Sequence, residues 1–571
     1  MTFNHLKYQA FRPFRKPNRR WPDRVIEHAP DWCAVDLRDG NQALIKPMTV
    51  EQKLRLFRLL VDLGFKEIEV GFPAASQPDY DFVRHILEQG LVPEDVTIQV
   101  LTQSREELVT RTFEAVRGAK RACVHLYNST SPVQREYVFG LDPAGIVAIA
   151  VNGAKWVKQY AAAQPDTKWE FEYSPESFTS TELPFALEIC NAVLAIWRPD
   201  QGQPVVINLP ATVEVSTPNV YADMIEWMID NIDHREHVRI SVHTHNDRGS
   251  GVAAAELSVM AGADRVEGTL LGNGERTGNT DLVTMAMNLY SQGVEPKLDL
   301  SRMREIVRVV ELCTEIRTHP RHPYAGELVF TAFSGSHQDA IRKSLAHYEE
   351  GGIWNVAYLP IDPHDLGRRY EEVVRINSQS GKGGVLHVLE RDFGITLPRW
   401  LQIDFARIVQ QEAERTGGEL EGNRIRELFE RSYIDLPDQF RVDGDDLGRE
   451  GEHVHAELSL HGGARLEGDG RGVVEALVDA MMKTYGVAVR VEAFDEAALG
   501  KGTDARALAC VRLYAGPAAA VGVALAEDTT SAALQAVLAA GARLIATKRS
   551  TPHMSAAASL SGPTSPTAIR G

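Results

Sequence analysis

Two histidines separated by one residue, His243 and His245, have a spacing that suits metal binding. On a β-strand, side chains at positions i and i+2 point to the same face, so both imidazoles can reach one ion. Much earlier in the chain, Arg38 and Asp39 place a guanidinium beside a carboxylate, which is a hard metal ligand. Because an arginine can also stabilise an oxyanion, these residue types predict a metal-assisted site for carbonyl chemistry.

Such a site would suit a 2-oxo acid, whose carboxylate and keto oxygen can fill the open positions of a metal that polarises the carbonyl. Arg38 would then stabilise a neighbouring enolate or alkoxide, and one well-placed donor contributes about 2.7–4 kcal/mol to a transition state. A carbon nucleophile also requires a base. The candidates are Glu176, Glu275 and His337, and the residues alone leave the choice among them open.

The elements that must position these residues are apolar, strand-like runs that alternate with longer amphipathic stretches over residues 33–293. Eight strands are predicted, over residues 33–39, 67–73, 97–103, 121–129, 168–176, 204–212, 238–247 and 265–275. Eight βα units are typical of an α/β fold of the (β/α)8 TIM-barrel type, which spans about 250 residues. A doubly wound open sheet is the alternative, but it usually carries a glycine-rich phosphate turn after its first strand, and none is found there.

A barrel enzyme carries its catalytic groups where the strands end, at the carboxyl face. Polar residues lie at the predicted ends of five strands, namely Arg38, Asp39, Glu176, Thr212, His243, His245 and Glu275. The barrel therefore predicts that these side chains converge on one rim.

The remaining chain is predicted to form four further regions. Residues 1–32 are basic and aromatic, as in an extended strap that packs on the protein's own surface or on a partner subunit. Residues 294–436 are predicted as a mostly helical linker region, and residues 437–546 as a small α+β domain with an approximate internal repeat. Residues 547–571 are rich in Ser, Ala, Pro and Thr, which predicts a disordered tail.

Two segments of these regions are polar or glycine-rich. A shift to Asp, Gly, Arg and Glu over residues 437–451 predicts a linker in front of the strands of the last domain. Residues 377–384 are glycine-rich but lack the spacing of a P-loop, so they are predicted to form a turn.

The composition excludes several classes of protein. With 61 Lys and Arg against 78 Asp and Glu, the formal net charge is −17, which argues against nucleic-acid or anionic-membrane binding. The five cysteines form no CxxC pair, as expected in a reducing compartment. We identify no apolar run of the roughly 18 residues that a membrane-spanning helix needs. A cytoplasmic protein is the expectation.

Several segments are similar to the motifs of a known family. Residues 36–42, 243–247 and 272–279 resemble the motifs of the DRE-TIM metallolyase superfamily, and residues 172–176, 209–214 and 334–339 resemble those of the long-form 2-isopropylmalate synthases. The resemblance extends over about residues 7–544 and is looser in the C-terminal domain. It implies a Claisen-type condensation of acetyl-CoA with 3-methyl-2-oxobutanoate to 2-isopropylmalate and CoA, the committed step of leucine biosynthesis.

The resemblance also implies a set of metal ligands and catalytic residues. Asp39, His243 and His245 would bind a divalent metal (Mg, Mn or Zn), with Asn279 as a fourth ligand. A monovalent cation such as K⁺ would activate the enzyme. Arg38 would stabilise the enolate and the alkoxide.

Other roles are implied for residues around this centre. Glu176 is the family's candidate for proton transfer, with Glu275 nearby. His337 and Tyr358 would assist from the linker region, across a domain-swapped homodimer. The keto acid would be bound by Gln42, Leu101, His125, Ser174, Asn208, Pro210 and Thr212.

Regulation is implied as well, because the C-terminal domain of this family binds leucine and inhibits the barrel. The chain has Ala524 where a second glycine is expected after Gly522, and glycine is favoured where a backbone closely approaches a small ligand. Asp504 lies in a segment that keeps the family pattern. We expect feedback inhibition by leucine.

Other functions remain open at this point. A homocitrate or citramalate synthase is a near alternative, although the implied pocket offers only His125 for the distal carboxylate of a homocitrate-type substrate. A lyase would run the reverse reaction. An amidohydrolase-like enzyme also uses two histidines on a barrel, but on the first strand. A non-catalytic leucine sensor would be expected to lack Arg38 or a metal ligand.

Overall fold

The computed structural model describes residues 14–200, 205–368, 385, 388–390, 394–416, 420–451, 453–499 and 506–550. The chain divides into two compact units, one formed by Met1–Phe330 with Leu359–Glu372 and the other by Thr331–Tyr358 with Val373–Gly571. The first 13 residues, the glycine-rich segment 377–384, Asp504 and the tail after residue 550 lie outside the described residues.

The first unit contains a closed barrel of eight parallel strands that follow one another in chain order, which confirms the predicted fold class. The strands are β1 (Asp31–Ala34), β2 (Glu67–Gly71), β3 (Thr97–Gln103), β4 (Arg121–Ser129), β5 (Lys168–Glu176), β6 (Val205–Ala211), β7 (Val238–Thr244) and β8 (Arg265–Gly268). The helices between and after them are α1 (Val50–Asp62), α2 (Gln77–Glu88), α3 (Glu106–Ala115), α4 (Pro143–Ala162), α5 (Leu183–Trp197), α6 (Pro218–Asn231), α7 (Gly251–Ala261) and α8 (Leu282–Tyr290).

The sequence accounts for these elements in simple terms. Every residue of β6 is buried, because a barrel strand is covered by side chains on one face and by helices on the other. Helix α1 begins at a capping box, in which the Thr49 side chain accepts from the Gln52 amide and the Gln52 side chain accepts from the Thr49 amide. Its apolar face, with Phe57 and Leu60, is buried.

Four of the strands that carry functional residues end earlier than predicted, and in β6, which ends at Ala211, the difference is a single residue. Strand β1 stops at Ala34, and Asp36–Gly40 forms a single π-helical turn whose Asp39 amide donates to the Val35 carbonyl. Arg38 and Asp39 therefore follow the strand. His245 lies just beyond β7, where it forms an isolated bridge with Asn279.

Strand β8 is also shorter than predicted, and Glu275 lies in the loop that follows it rather than at the strand end. The Thr269 amide donates to the Thr280 carbonyl at 3.0 Å, and this bond closes the loop.

Residues 14–24 of the basic N-terminal segment contact helix α6. The Trp21 indole donates to Asp223 at 2.9 Å, and Lys16 lies 3.2 Å from Glu226. The Phe14 ring packs edge-on against Trp227, with 6.1 Å between the ring centroids. This part of the segment is thus held on the barrel's own surface by opposite charges and aromatic contacts.

The chain after the barrel contains helices and two small antiparallel sheets. The helices are α9 (Met303–Thr314), α10 (Gly335–Leu345), α11 (Arg399–Thr416), α12 (Gly422–Phe429), α13 (Val473–Tyr485) and α14 (Thr529–Ser550). The strands are β9 (Val442–Glu450), β10 (His453–Leu460), β11 (Arg465–Gly470), β12 (Arg490–Leu499), β13 (Arg506–Ala515) and β14 (Ala518–Ala526). Their order is β11-β10-β9 in one sheet and β12-β13-β14 in the other.

Two features of this region differ from the sequence-based expectation. The segment predicted as a linker contains strand β9, whose residues are mostly exposed and therefore have the composition of a linker. Within helix α14, Thr529–Thr547 is long and apolar enough to cross a membrane by length and composition, so the expectation that no such run exists was wrong. Of this stretch, 67% is buried, as in the core helix of a soluble protein.

Candidate active site

The two histidines and Asp39 form a compact group at the carboxyl face of the barrel. Their ligand atoms all lie within 4.8 Å of one another. Nε2 of His243 is 3.2 Å and Nε2 of His245 is 3.7 Å from Oδ2 of Asp39, and all three side chains are buried. Two imidazoles and a carboxylate are a donor set that suits a divalent ion.

Asn279 completes this group from the loop after β8. Its Nδ2 donates to Oδ2 of Asp39 at 2.8 Å, while its Oδ1 is buried without a hydrogen-bond partner among the described residues. A buried, unpaired acceptor costs free energy unless something binds it. The four residues therefore fit a divalent metal, with Asn279 as the additional oxygen donor.

A carboxylate behind His243 was missed by the sequence analysis. Oε2 of Glu267 lies 2.8 Å from Nδ1 of His243, and this carboxylate also accepts hydrogen bonds from Gln99 and Asn208. A carboxylate in this position fixes the imidazole and makes it a better ligand. The sequence does contain a sign of this carboxylate, because Arg265 and Glu267 place charged residues at alternate positions of an otherwise apolar strand.

Charge and burial determine the protonation of the three ligands. Burial opposes ionisation of Asp39, but the Arg38 guanidinium and the hydrogen bond with His243 hold the pKa of Asp39 well below its usual range. Burial lowers the pKa of His243, but Asp39 and Glu267 outweigh it and raise that pKa to about 9. Burial and the neighbouring His243 lower the pKa of His245 to about 4. A divalent cation therefore competes with a proton on His243.

Arg38 is held rigidly beside this group. Its Nη1 donates to Oδ1 of Asp39 at 2.7 Å, and its Nε donates to Glu69 on β2. Glu69, which the sequence analysis also missed, lies 2.9 Å from Nδ1 of His125 as well. One buried carboxylate thus orients both Arg38 and His125.

The predicted substrate residues share a cavity of about 320 Å³ with the metal ligands and Arg38. Its lining includes every predicted keto-acid residue, Gln42, Leu101, His125, Ser174, Asn208, Pro210 and Thr212, and also Glu176 and Glu275. Three further lining residues were not predicted, Phe72, Tyr127 and Arg276.

The polar groups of this cavity are mostly satisfied by one another. Oγ of Ser174 lies 2.7 Å from Nε2 of His125 and accepts from Asn208 at 3.0 Å. Glu176 accepts from the Ser129 hydroxyl, and Glu275 accepts from Gln42 at 3.2 Å.

Arg276 ties together two loops of the rim. Its Nε donates to Asp247 at 2.7 Å, and its Nη2 donates to the Thr212 carbonyl. The backbone amide of Ser177 donates to the Thr212 hydroxyl at 2.9 Å. These bonds fix the position of Thr212 at the cavity mouth.

Two predicted catalytic residues lie in the other unit of the chain. His337 and Tyr358 stack on each other there, with 4.0 Å between ring centroids. The described barrel cavity is lined without them.

Two of the predicted allosteric positions, Gly522 and Ala524, are among the described residues, and both lie in the C-terminal domain. A Cβ at Gly522 would collide with the backbone of α14 at Ala536 and Ala540, so close packing of strand on helix requires glycine there. Ala524 lines a cavity of about 560 Å³ together with residues such as Thr530 and Leu534.

Comparison with known proteins shows three domains in series. The HMGL-like family model matches residues 29–310, the Alpha-isopropylmalate synthase, post-catalytic domain-like model matches 327–390, and the LeuA allosteric (dimerisation) domain model matches 419–545. The 2-isopropylmalate synthase of Alcanivorax borkumensis is 62% identical, over 95% of this chain and 98% of that protein. The chain belongs to the 2-isopropylmalate synthase family.

Further relatives agree with this assignment. The 2-isopropylmalate synthase of Pseudomonas savastanoi pv. phaseolicola is 53% identical over 94% of this chain and 96% of that protein, and the one of Pseudomonas entomophila is 53% identical over the same shares. As a member of the 2-isopropylmalate synthase family, the chain is an enzyme of the transferase class with a LeuA regulatory domain. Membership of this family excludes the three alternative functions of an amidohydrolase-like enzyme, a lyase and a non-catalytic leucine sensor.

Proposed function

We propose that the chain condenses acetyl-CoA with 3-methyl-2-oxobutanoate to give 2-isopropylmalate and CoA, the first committed step of leucine biosynthesis. The observation that carries this proposal is one cavity that joins Arg38 and a buried group of metal ligands to a small, partly apolar pocket. Its occurrence in a chain of the 2-isopropylmalate synthase family supports the choice of reaction.

The divalent ion would be held by Asp39, His243 and His245, with Asn279 as the fourth ligand. Mg, Mn and Zn are the candidates, since oxygen and imidazole donors accept each of them. When bound, this ion supplies a Lewis acid that polarises the keto carbonyl. Activation by a monovalent cation such as K⁺ is part of the proposal and rests on the family resemblance.

Arg38 stabilises the negative charge that develops on oxygen. Its guanidinium lines the cavity and is fixed by Asp39 and Glu69, so it does not need to reorganise during the reaction. The charge arises first on the enolate of the acetyl group and then on the alkoxide formed by carbon–carbon bond formation.

The selectivity for a branched, apolar keto acid follows because the polar groups of the pocket already hydrogen-bond to one another. Both ring nitrogens of His125 are engaged, one by Glu69 and one by Ser174. His125 therefore offers no free donor to a second carboxylate, while Leu101 and Pro210 offer apolar surface. Thr212 and Gln42 bind the polar end of the keto acid.

Proton transfer is assigned to residues at the cavity mouth and in the linker. Glu176, oriented by the Ser129 hydroxyl, is the candidate to remove the methyl proton, and Glu275 is the nearby alternative. His337 and Tyr358 assist from a partner subunit of a domain-swapped homodimer, a role supported by the family resemblance. Water then attacks the thioester carbonyl and the CoA thiolate leaves.

Leucine acts as a feedback inhibitor through the C-terminal domain. The match of the LeuA allosteric (dimerisation) domain to residues 419–545 supports both this regulation and the homodimer. The acidic charge of the chain agrees with a cytoplasmic enzyme that binds neither nucleic acid nor membranes.

Thiol release from acetyl-CoA, measured with a panel of 2-oxo acids and Mg²⁺ or Mn²⁺, tests the proposal. We expect rapid release with 3-methyl-2-oxobutanoate, lost in Arg38→Ala and His243→Ala but kept in His28→Ala, which changes an exposed histidine. Release only with pyruvate or 2-oxoglutarate would overturn the assigned pocket, and no release with any acid would overturn the reaction.

A further inference from the structure

A buried ion pair joins the first two helices of the barrel unit. Nζ of Lys53, on α1, donates to Oδ1 of Asp79, on α2. The two residues are only 2% and 7% exposed. The ammonium also lies 5.4 Å from the ring centroid of Phe82, which is fully buried. The active-site cavity is lined by other described residues, so the mechanism proposed above does not use this pair.

Lys53 is also bound to the turn that carries Arg38 and Asp39. Its Nζ donates to the backbone carbonyl of Leu37 at 3.1 Å. Leu37 lies in the π-helical turn Asp36–Gly40, immediately before Arg38. A hydrogen bond from a charged donor is roughly twice as strong as a neutral one. This contact therefore restrains the backbone next to the oxyanion donor and a metal ligand.

Asp79 connects the same pair to a second loop of the active site. Its Oδ2 accepts from the backbone amide of Phe72 at 2.8 Å, and Phe72 lines the active-site cavity. A Cβ at Gly71, the last residue of β2, would lie 2.9 Å from this oxygen, so glycine leaves the room that the carboxylate needs. The pair thus links the loop after β1 to the loop after β2.

Packing alone does not explain why this pair is buried. Removing an ammonium and a carboxylate from water costs free energy, and apolar residues of similar size often stabilise a core equally well. Apolar residues, however, cannot supply a donor to the Leu37 carbonyl or an acceptor for the Phe72 amide. A displacement of about 1 Å at reacting groups can lower a rate roughly 10²-fold, so these two restraints matter for catalysis.

We propose that Lys53 and Asp79 are positioning residues of the active site. They hold the turn after β1, with Arg38 and Asp39, at a fixed distance from the loop after β2. This inference rests on the proposed function, because the reaction requires the guanidinium and the metal to act on the same substrate.

The double variant Lys53→Met/Asp79→Asn tests the pair. Either single change leaves a buried charge without its partner and destabilises the protein, whereas the double change removes both charges. Lys66→Met/Asp95→Asn is the matched control, since it removes an exposed pair of the same residue types. We expect both double variants to unfold in urea in one cooperative transition, which shows that they are folded.

The two double variants should differ in metal binding and in kcat. Calorimetric titration should show that Lys53→Met/Asp79→Asn binds Mn²⁺ about tenfold more weakly than the control, because Asp39 is no longer held in place. Its kcat for thiol release should be about tenfold lower or less, and should stay low at saturating Mn²⁺, because Arg38 is displaced as well. A purely structural pair would leave kcat at saturating Mn²⁺ equal to that of the control, and this result would overturn the inference.

Asp79→Asn alone provides the test if the double variant does not fold. Its amide has one accepting oxygen where the carboxylate has two, so it loses the bond to either Lys53 or Phe72. Its kcat at saturating Mn²⁺ should fall below that of Asp95→Asn. Equal kcat values for these two variants would overturn the inference.

The outcomes distinguish this inference from the proposed function. If wild type releases thiol with 3-methyl-2-oxobutanoate and Lys53→Met/Asp79→Asn keeps the kcat and the Mn²⁺ affinity of the control, the inference is wrong and the function stands. If wild type releases no thiol but the same variant binds Mn²⁺ more weakly than the control, the positioning role stands and the function is wrong.

Discussion

The interior of the barrel and the core of the C-terminal domain are both buried, but they are built from different residues. Inside the barrel, the guanidinium of Arg265 is fully buried and lies 3.0 Å from Glu172 and 3.1 Å from Glu267. The core of the C-terminal domain is aliphatic and rich in alanine, as at Ala480 and Ala509. Burying charged side chains costs free energy unless they are paired. We therefore infer that the buried charges of the barrel have a function other than packing.

That purpose is to orient the site. Glu267 belongs to the buried charge network and also contacts His243, and Glu69 contacts both Arg38 and His125. In the C-terminal domain, by contrast, the core is held together by strands and helices whose backbones pack closely against each other. The difference predicts that changes in the barrel interior affect chemistry first, while changes in the C-terminal core affect stability first.

The largest effect is expected at Arg38. Arg38→Ala removes the donor to the developing oxyanion and should lower kcat for thiol release by about 10²–10³-fold. Arg38→Lys should recover little, because an ammonium cannot bridge Asp39 and Glu69 as the guanidinium does. Arg58→Ala, at an exposed position of α1, is the control. A loss of less than tenfold in Arg38→Ala would contradict its assigned role.

Glu267→Gln should have the next largest effect. The amide keeps the shape but loses the charge behind His243, so affinity for the divalent ion should fall by about 10–100-fold. Calorimetric titration with Mn²⁺ measures this, and much of the kcat should return at saturating Mn²⁺. The exposed Glu236→Gln serves as control, and unchanged affinity in Glu267→Gln would show that this carboxylate is only structural.

The binding of metal should depend on pH through His243. Its pKa is raised to about 9, so near neutral pH the ion must displace a proton that a histidine of ordinary pKa would already have lost. The affinity for the divalent ion should therefore increase as the pH rises from 7 to 9 and level off above pH 9. Proton release, measured by calorimetry in buffers of different ionisation enthalpy, should approach one proton per ion at pH 7. Constant affinity over this range would contradict the assignment.

A smaller effect, on stability alone, is expected in the C-terminal core. A Cβ at Gly468 would collide with the backbone of α13 at Ala476 and Ala480, so Gly468→Ala should destabilise the domain by about 1–3 kcal/mol. The change should leave thiol release by the barrel intact. Gly448→Ala, on the exposed strand β9 with no atom within 4 Å of the added carbon, is the matched control in denaturant unfolding. Equal stability of the two variants would refute the packing argument.

Sequence patterns predicted the parts of the molecule that are regular. Strands β3, β4 and β5 have the predicted bounds, because apolar runs there coincide with barrel strands. Patterns failed at β1 and β8, where Asp39 and Glu275 follow the strand in turns held by backbone hydrogen bonds that no periodicity encodes.

The candidate site was also predicted only in part. Its motif residues lie in one cavity, but Glu69 and Glu267 were missed because their function depends on partners from other strands. Strand β9 was missed because an exposed strand has the composition of a linker. The roles of His337 and Tyr358 remain predictions.

The most direct test of the central claim is a crystal structure with Mn²⁺ and 3-methyl-2-oxobutanoate, with the ion located by anomalous scattering. We expect one anomalous peak bound by Asp39, His243 and His245, with the isopropyl group of the keto acid against Leu101 and Pro210. An anomalous peak elsewhere, or a keto acid bound away from Arg38, would contradict the assigned site.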